Sequence, residues 1–343
     1  MKQHLNTLFV TTPGAYLGKD GEAVEVRVER ETRVRVPLHN LGGIVCFGHV
    51  TASPALLAGC AESGVAVTFL TEHGRFLARV SGFTPGNVLL RREQYRRADD
   101  PERALAVSRP IVAAKIANAR AVLMRGARDR PDAPGRPALD AAAARLAGDG
   151  RRALTVPSAD VLRGVEGDAS ATYFGAFDAL IVAQRGAFAF RGRSRRPPLD
   201  PVNALLSFVY TMLAHDVRAA CEAAGLDPAV GFLHVDRPGR PALALDLMEE
   251  LRAYFADRLV LSLVNRQQVR PEGFSSAEAG GVVMDGATRK ALLIAYQERK
   301  QEVLTHPFLG EKTTVGLLPH LQARLLARYL RGDLDAYPPF VWT

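Results

Sequence analysis

Two carboxylates three residues apart, Asp246 and Glu249, lie in the run Ala242-Leu243-Ala244-Leu245-Asp246-Leu247-Met248-Glu249-Glu250-Leu251-Arg252. That spacing puts both on one face of a helix. Asp246 is flanked by apolar residues, and a carboxylate buried there needs a cation, a metal or hydrogen-bond donors. The plainer alternative is an amphipathic helix whose acids pair with arginines. His234 stands just before the loop Val235-Asp236-Arg237-Pro238-Gly239-Arg240-Pro241. Its prolines stiffen the chain, and a stiff loop can hold Arg237 and Arg240 around a phosphate. A packed histidine at the end of an element is the alternative there. Glu166 sits among Gly164, Gly167, Ala169 and Ser170 in an otherwise helical stretch. Each glycine inside a helix costs up to about 1 kcal/mol against alanine. Close approach of a ligand or another helix to that backbone would account for them; so would a surface glutamate on a tightly packed helix.

Glu166, His234 and Asp246 or Glu249 together make a hard-oxygen set with one imidazole. Such a set suits Mg²⁺ or Mn²⁺ better than zinc, and Mn²⁺ accepts the imidazole more readily. An ion of this kind polarises a phosphoryl oxygen, activates a water or hydroxyl, and stabilises a leaving oxygen. The segment 185–201 carries Arg191, Arg193, Arg195 and Arg196, charge suited to a nucleic-acid backbone or simply to solubility. The sequence holds no GxxxxGK followed by Ser or Thr, no GxSxG and no HExxH, which sets aside the usual NTPase, hydrolase and zincin readings. The other histidines have no ligand-like neighbours in sequence.

These residues need elements to position them. Residues 1–97 read as β-rich. Leu8–Thr12 favours a strand, and Val24–Val28 and Val34–Val36 alternate apolar with charged, the period of a half-buried strand. Gly18-Lys19-Asp20-Gly21 signals a turn. Ser53-Pro54 opens a helix that stops near Gly64. A buried strand, Val65–Leu70, then leads through a hairpin at His73-Gly74 into Arg75–Val80. From Asp99-Asp100-Pro101 onward the pattern is helical, and Ser158 caps the helix that carries Glu166. The stretches 127–137, 185–201 and 270–282 read as loops, the last of them flexible. The expected fold class is α+β: a small N-terminal β-rich domain (1–97) and a larger all-α catalytic domain (98–343).

The chain has 343 residues, 48% of them hydrophobic, enough for at least one full core. The net charge is +8, with twelve basic and eight acidic residues up to position 97, so the excess is split evenly between the parts. A basic balance favours anionic partners, although arginine-rich composition alone produces the same excess. Cys46, Cys60 and Cys221 form no CxxC pair, which argues against a zinc ribbon and for a reducing, cytoplasmic setting. Neither a signal peptide nor a membrane span is expected.

Taken in order, these sites resemble the CRISPR-associated integrase nucleases of spacer acquisition, the Cas-one family. The resemblance rests on Ser53-Pro54-Ala55-Leu56-Leu57, Gly64–Leu70 and Gly74-Arg75-Phe76, then on Gly164-Val165-Glu166-Gly167 with Tyr173. It continues through Asp200-Pro201-Val202-Asn203-Ala204-Leu205-Leu206-Ser207, His234 and Ala244–Glu249. It looks most like the type I-C branch. It implies metal ligands at Glu166, His234 and Glu249, with Asp246 as the nearby acid that steers a water or the nucleophile. It implies supporting roles for Tyr173 and Asn203, and a proton-transfer role for His234. It also implies a homodimer, a small ferredoxin-like adaptation protein as partner, and double-stranded DNA (prespacer and CRISPR repeat) as substrate. A metal-dependent repair nuclease for branched DNA and a non-catalytic DNA-binding scaffold are the rival readings.

Overall fold

The computed structural model describes residues 6–72, 76–80, 82, 88–277 and 280–342. The chain divides into two compact units, one of residues up to 85 together with Leu293–Gln301, the other of the remainder. Helix α2 therefore belongs to the second unit, although most of it lies before the boundary expected at residue 97.

The first unit runs β1 (Asn6–Val10), β2 (Tyr16–Asp20), β3 (Ala23–Val28), β4 (Glu31–Pro37), β5 (Leu41–Phe47), β6 (Thr51–Ala52), α1 (Pro54–Glu62), β7 (Ala66–Leu70) and β8 (Phe76–Val80). Two four-stranded sheets result, ordered β1-β5-β7-β8 and β4-β3-β2-β6. Strands β1, β5 and β7 are parallel and β8 is antiparallel to β7. One apolar cluster draws on both sheets and on α1, with Leu17, Val24, Ile44, Leu56 and Val67 fully buried. Ser53 caps α1 as its sequence indicates, its Oγ accepting from Leu56 N at 3.2 Å. The turn read over residues 18–21 is narrower than expected. Gly18, Lys19 and Asp20 pair with β3, leaving Gly21, at a φ of +56°, and Glu22 to reverse the chain. The turn expected at His73-Gly74 lies outside the described residues.

The second unit contains α2 (Val88–Asp99), α3 (Pro101–Asp129), α4 (Arg136–Ala153), α5 (Ala159–Ala176), α6 (Pro201–Ala223), α7 (Ala242–Leu251) and α8 (Arg258–Asn265). It continues through β9 (Phe274–Ser276), β10 (Val282–Met284), the start of α9 (Gly286–Gln301), β11 (Val303–Thr305), β12 (Lys312–Thr314) and α10 (Leu318–Arg331). It is thus mainly, not wholly, helical: β9 with β10 and β11 with β12 form two-stranded ribbons. Within the loop expected over 270–282, Phe274–Ser276 and Val282 are strand residues of the first ribbon, and the Phe274 ring packs edge-on against buried Phe188 at 5.5 Å; residues 278 and 279 lie outside the described residues. Among the described residues no helix is long and apolar enough to cross a membrane.

Helix α3 is the central strut, packing against α4, α5 and α7. Its buried Asn118 donates to Glu250 O at 2.7 Å and Phe340 O at 2.9 Å, which ties α7 and the C-terminal tail to one point. Between α7 and α8 the helix widens into a π turn over Arg252–Asp257. Such turns add a residue to the helical repeat and recur at functional sites.

Two buried carboxyl groups hold this region together. Glu250 accepts from Tyr337 Oη at 2.5 Å, Gln322 Nε2 at 2.7 Å and Phe340 N at 2.7 Å. Burial pushes its pKa up to about 7 against those hydrogen bonds. Asp257 accepts from Tyr210 Oη at 2.6 Å and Tyr173 Oη at 3.0 Å, and burial raises its pKa to about 6. Raised acids favour the folded state while protonated. Their contribution is complete below about pH 4 and is lost as pH rises through 6 for Asp257 and 7 for Glu250. We expect unfolding free energy from urea titrations to fall by a few kcal/mol across that window. Glu250→Gln and Asp257→Asn should each remove part of the slope; an unchanged slope in both variants would contradict this assignment.

Candidate active site

Helix α5 presents Glu166 one turn before Ser170, whose Oγ donates to Glu166 Oε1 at 2.9 Å. Ser158 caps this helix, accepting from Val161 N at 3.4 Å. Helix α7 presents Glu249, almost wholly buried. Lys115, from α3, stands between the two glutamates. Its ammonium donates to Glu166 Oε1 and approaches Glu249 Oε2 at 2.8 Å. Arg252, at the start of the π turn, approaches Glu249 Oε1 at 3.1 Å. Burial opposes the Glu249 charge, but Arg252, Lys115 and His234 outweigh it and hold the pKa at about 2.

His234 completes the group. Its Nε2 lies 3.9 Å from Glu249 Oε1 and its Nδ1 2.6 Å from Asp246 Oδ1. An ionised carboxylate only accepts, so Nδ1 donates, and in the neutral ring Nε2 keeps the lone pair that a metal requires. Asp246 has no exposure at all. Besides the imidazole, it accepts backbone N–H groups from Phe232 at 2.6 Å, Leu233 at 3.0 Å and His234 at 3.0 Å. Its lone pairs are spent on the loop and the ring, which gives it an orienting geometry, not that of a group handling a water. Arg163 fixes the same loop, donating to Leu233 O at 3.1 Å.

At Gly231 this loop passes close to α7. A Cβ there would lie 2.8 Å from Asp246 Oδ2 and 2.9 Å from Ala242 backbone. Gly231→Ala should destabilise the protein by about 1–3 kcal/mol, as overpacking does, and displace His234. Chemical unfolding checks the first effect; full retention of the wild-type stability would show that the loop can move aside.

The donors fit a hard divalent ion in kind. Glu249 Oε2 is buried without an aligned hydrogen bond, with the Lys115 ammonium 2.8 Å away. In position they are not yet a cage. Among the described residues no three His, Cys, Asp or Glu side chains converge as a metal-holding group, and the Lys115 ammonium lies between Glu166 and Glu249.

The supporting residues fall behind this centre. The buried Tyr173 hydroxyl donates to Asp257, and burial and that carboxylate raise its pKa well above 10. Asn203 Oδ1 accepts from Arg193 Nη1 at 2.7 Å and Ser194 N at 3.0 Å, so it braces the arginine-rich segment from outside the reacting group. Arg193 is itself committed: it also donates to Ser207 Oγ at 3.0 Å and lies 5.2 Å over the Tyr210 ring. Arg191, Arg195, Arg196 and Arg237 are exposed and Arg240 half-buried. Sequence reasoning missed Lys115, Arg252, Tyr210 and Asp257. Only Asp257 carried a signal, as an acid within the apolar run Ala253–Val264.

Solved structures share this architecture. A casposase bound to integration product superposes with a TM-score of 0.83 at 21% identity, over 96% of this chain and 92% of that one. A Cas1 protein from Thermotoga maritima gives 0.82 at 21% identity, over 98% of this chain and 100% of that one. The chain therefore shares the fold of that Cas1 protein. A family model described as CRISPR associated protein Cas1 matches residues 8–298. "CRISPR-associated endonuclease Cas1 1" of Chlorobaculum tepidum is 57% identical over the whole of both chains, and "CRISPR-associated endonuclease Cas1 2" of Rhodospirillum rubrum is 52% identical, also over the whole of both. The chain belongs to the Cas1 family.

Proposed function

We propose that the protein is a metal-dependent DNA endonuclease and integrase of CRISPR spacer acquisition, joining prespacer 3′-hydroxyl ends to the CRISPR repeat. The observation that carries the reading is the placement of Glu249, whose Oε2 shares the Lys115 ammonium with Glu166 and whose Oε1 lies 3.9 Å from His234 Nε2. Full-length similarity to proteins named as Cas1 endonucleases supports it.

Glu166, His234 and Glu249 would hold Mg²⁺ or Mn²⁺, which when bound supplies Lewis-acid polarisation of a phosphoryl oxygen. The chain's own groups do the rest. Asp246 keeps the imidazole turned with Nε2 toward Glu249. Arg252 balances the Glu249 charge, so the carboxylate stays ionised through neutral pH. Exposed Arg191, Arg195, Arg196 and Arg237, with Arg240, would meet DNA phosphates. In the joining step a 3′-oxygen bonds to phosphorus as the repeat's own P–O3′ bond breaks. The attacking hydroxyl loses its proton and the departing 3′-oxygen gains one; because one phosphodiester replaces another, no energy cofactor is needed. A homodimer with a small ferredoxin-like adaptation protein, in the cytoplasm, completes the proposal. A related chain solved as a "Cas6-RT-Cas1--Cas2 complex", at 22% identity and a TM-score of 0.82, shares the fold over 99% of this chain and 36% of its own.

The test is an integration assay with the small partner, a labelled duplex bearing 3′-hydroxyl ends, and a supercoiled plasmid carrying the repeat. With Mn²⁺ or Mg²⁺, label should enter the plasmid, and a chelator should abolish it. Metal-dependent nicking or branch cleavage with no labelled plasmid would favour a repair nuclease. DNA binding with no product of either kind would leave only a scaffold.

A further inference from the structure

Among the described residues, Lys115 is the basic side chain that touches both glutamates of the candidate metal position. Its ammonium donates to Glu166 Oε1 and approaches Glu249 Oε2 at 2.8 Å, from a side chain only 13% exposed. Glu249 is 3% exposed at its side chain, and its second oxygen faces Arg252. Two carboxylates converging in a poorly solvated space repel unless a cation lies between them. A divalent ion bound by both glutamates would need the space that the ammonium now occupies. Like charges held that close repel strongly where water is scarce.

We infer that Lys115 is a built-in counter-ion, a placeholder that holds the two glutamates together before metal binds and must leave that position when it does. The inference rests on the metal reading above. It makes Lys115 a positioning residue that stabilises the metal-free site and lowers its affinity for the ion. Ser170 keeps Glu166 oriented while the ammonium withdraws, because its hydrogen bond at 2.9 Å does not depend on Lys115.

The test measures Mn²⁺ binding to the full chain by calorimetry, without DNA, alongside melting temperatures with and without the ion. Lys115→Met should bind Mn²⁺ at least tenfold more tightly than wild type. It should melt lower without metal and gain more from metal addition. Lys115→Arg, which keeps the charge, should bind no more tightly than wild type. Equal or weaker binding by Lys115→Met, with wild-type binding still lost in Glu166→Gln, would overturn the placeholder role and leave the metal site standing. No Mn²⁺ binding by any of these proteins would overturn the metal reading itself. Should Lys115→Met fail to fold, reductive methylation of the wild type, read by peptide mass spectrometry, decides. Lys115 should be modified faster with Mg²⁺ than without, relative to the other lysines, and no acceleration would count against its displacement.

Discussion

Glu166→Gln should reduce metal-dependent strand cleavage and joining by a thousandfold or more, with DNA binding retained and a melting temperature within a few degrees of wild type. The substitution keeps the side chain's volume and an oxygen for Ser170 to donate to. It removes one of the charges that would hold the ion, and with it most of the Lewis-acid contribution. Stability should barely move, because Glu166 is partly exposed and Lys115 keeps its approach to Glu249. Product yield with Mn²⁺, fluorescence anisotropy on duplex DNA and a thermal melt together check the claim. Wild-type product yield from Glu166→Gln would mean that the reacting centre lies elsewhere.

Asp246→Asn should behave differently, losing about 2–4 kcal/mol of stability as well as activity. The wild-type carboxylate accepts four donors: three loop N–H groups and the imidazole Nδ1–H. An amide presents N–H where one of these donors needs an acceptor, and a buried group left unpaired costs the full desolvation penalty. The same mismatch frees the imidazole to change tautomer. Partners of this kind behind a metal-binding histidine are typically worth 10–100-fold in metal affinity or activity. Nitrogen NMR of the His234 ring separates the two effects. The proton should sit on Nδ1 in the wild type and lose that preference in Asp246→Asn. Lost stability with an unchanged tautomer and unchanged turnover would reduce Asp246 to a structural brace for the loop.

The contrast between these two acids shows what was legible in the chain. Glu166, His234, Asp246 and Glu249 could all be singled out from residue type and spacing. The burial of Asp246 was legible too, since a carboxylate inside an apolar helical run must find partners. Its partners were not, because the N–H groups that satisfy it belong to a loop twelve to fourteen residues earlier whose path depends on the close approach at Gly231. Asp257 carried the same kind of signal within its own apolar run. The π turn that aims it at Tyr173 and Tyr210 has no sequence period of its own.

Lys115 marks the limit of such reading. On α3 it is one lysine in a long amphipathic helix, indistinguishable from a solvated position until α5 and α7 pack beside it. The arginines of 185–201 were equivalent in sequence as well. Packing commits Arg193 to Asn203, Ser207 and Tyr210 and leaves Arg191, Arg195 and Arg196 at the surface. Helix caps, strand alternation and the presence of an acid inside an apolar run are local properties, so the linear chain specifies them. Which cation each acid faces is settled between helices distant in sequence, where burial makes every unpaired charge costly and only the assembled fold decides how the charges pair.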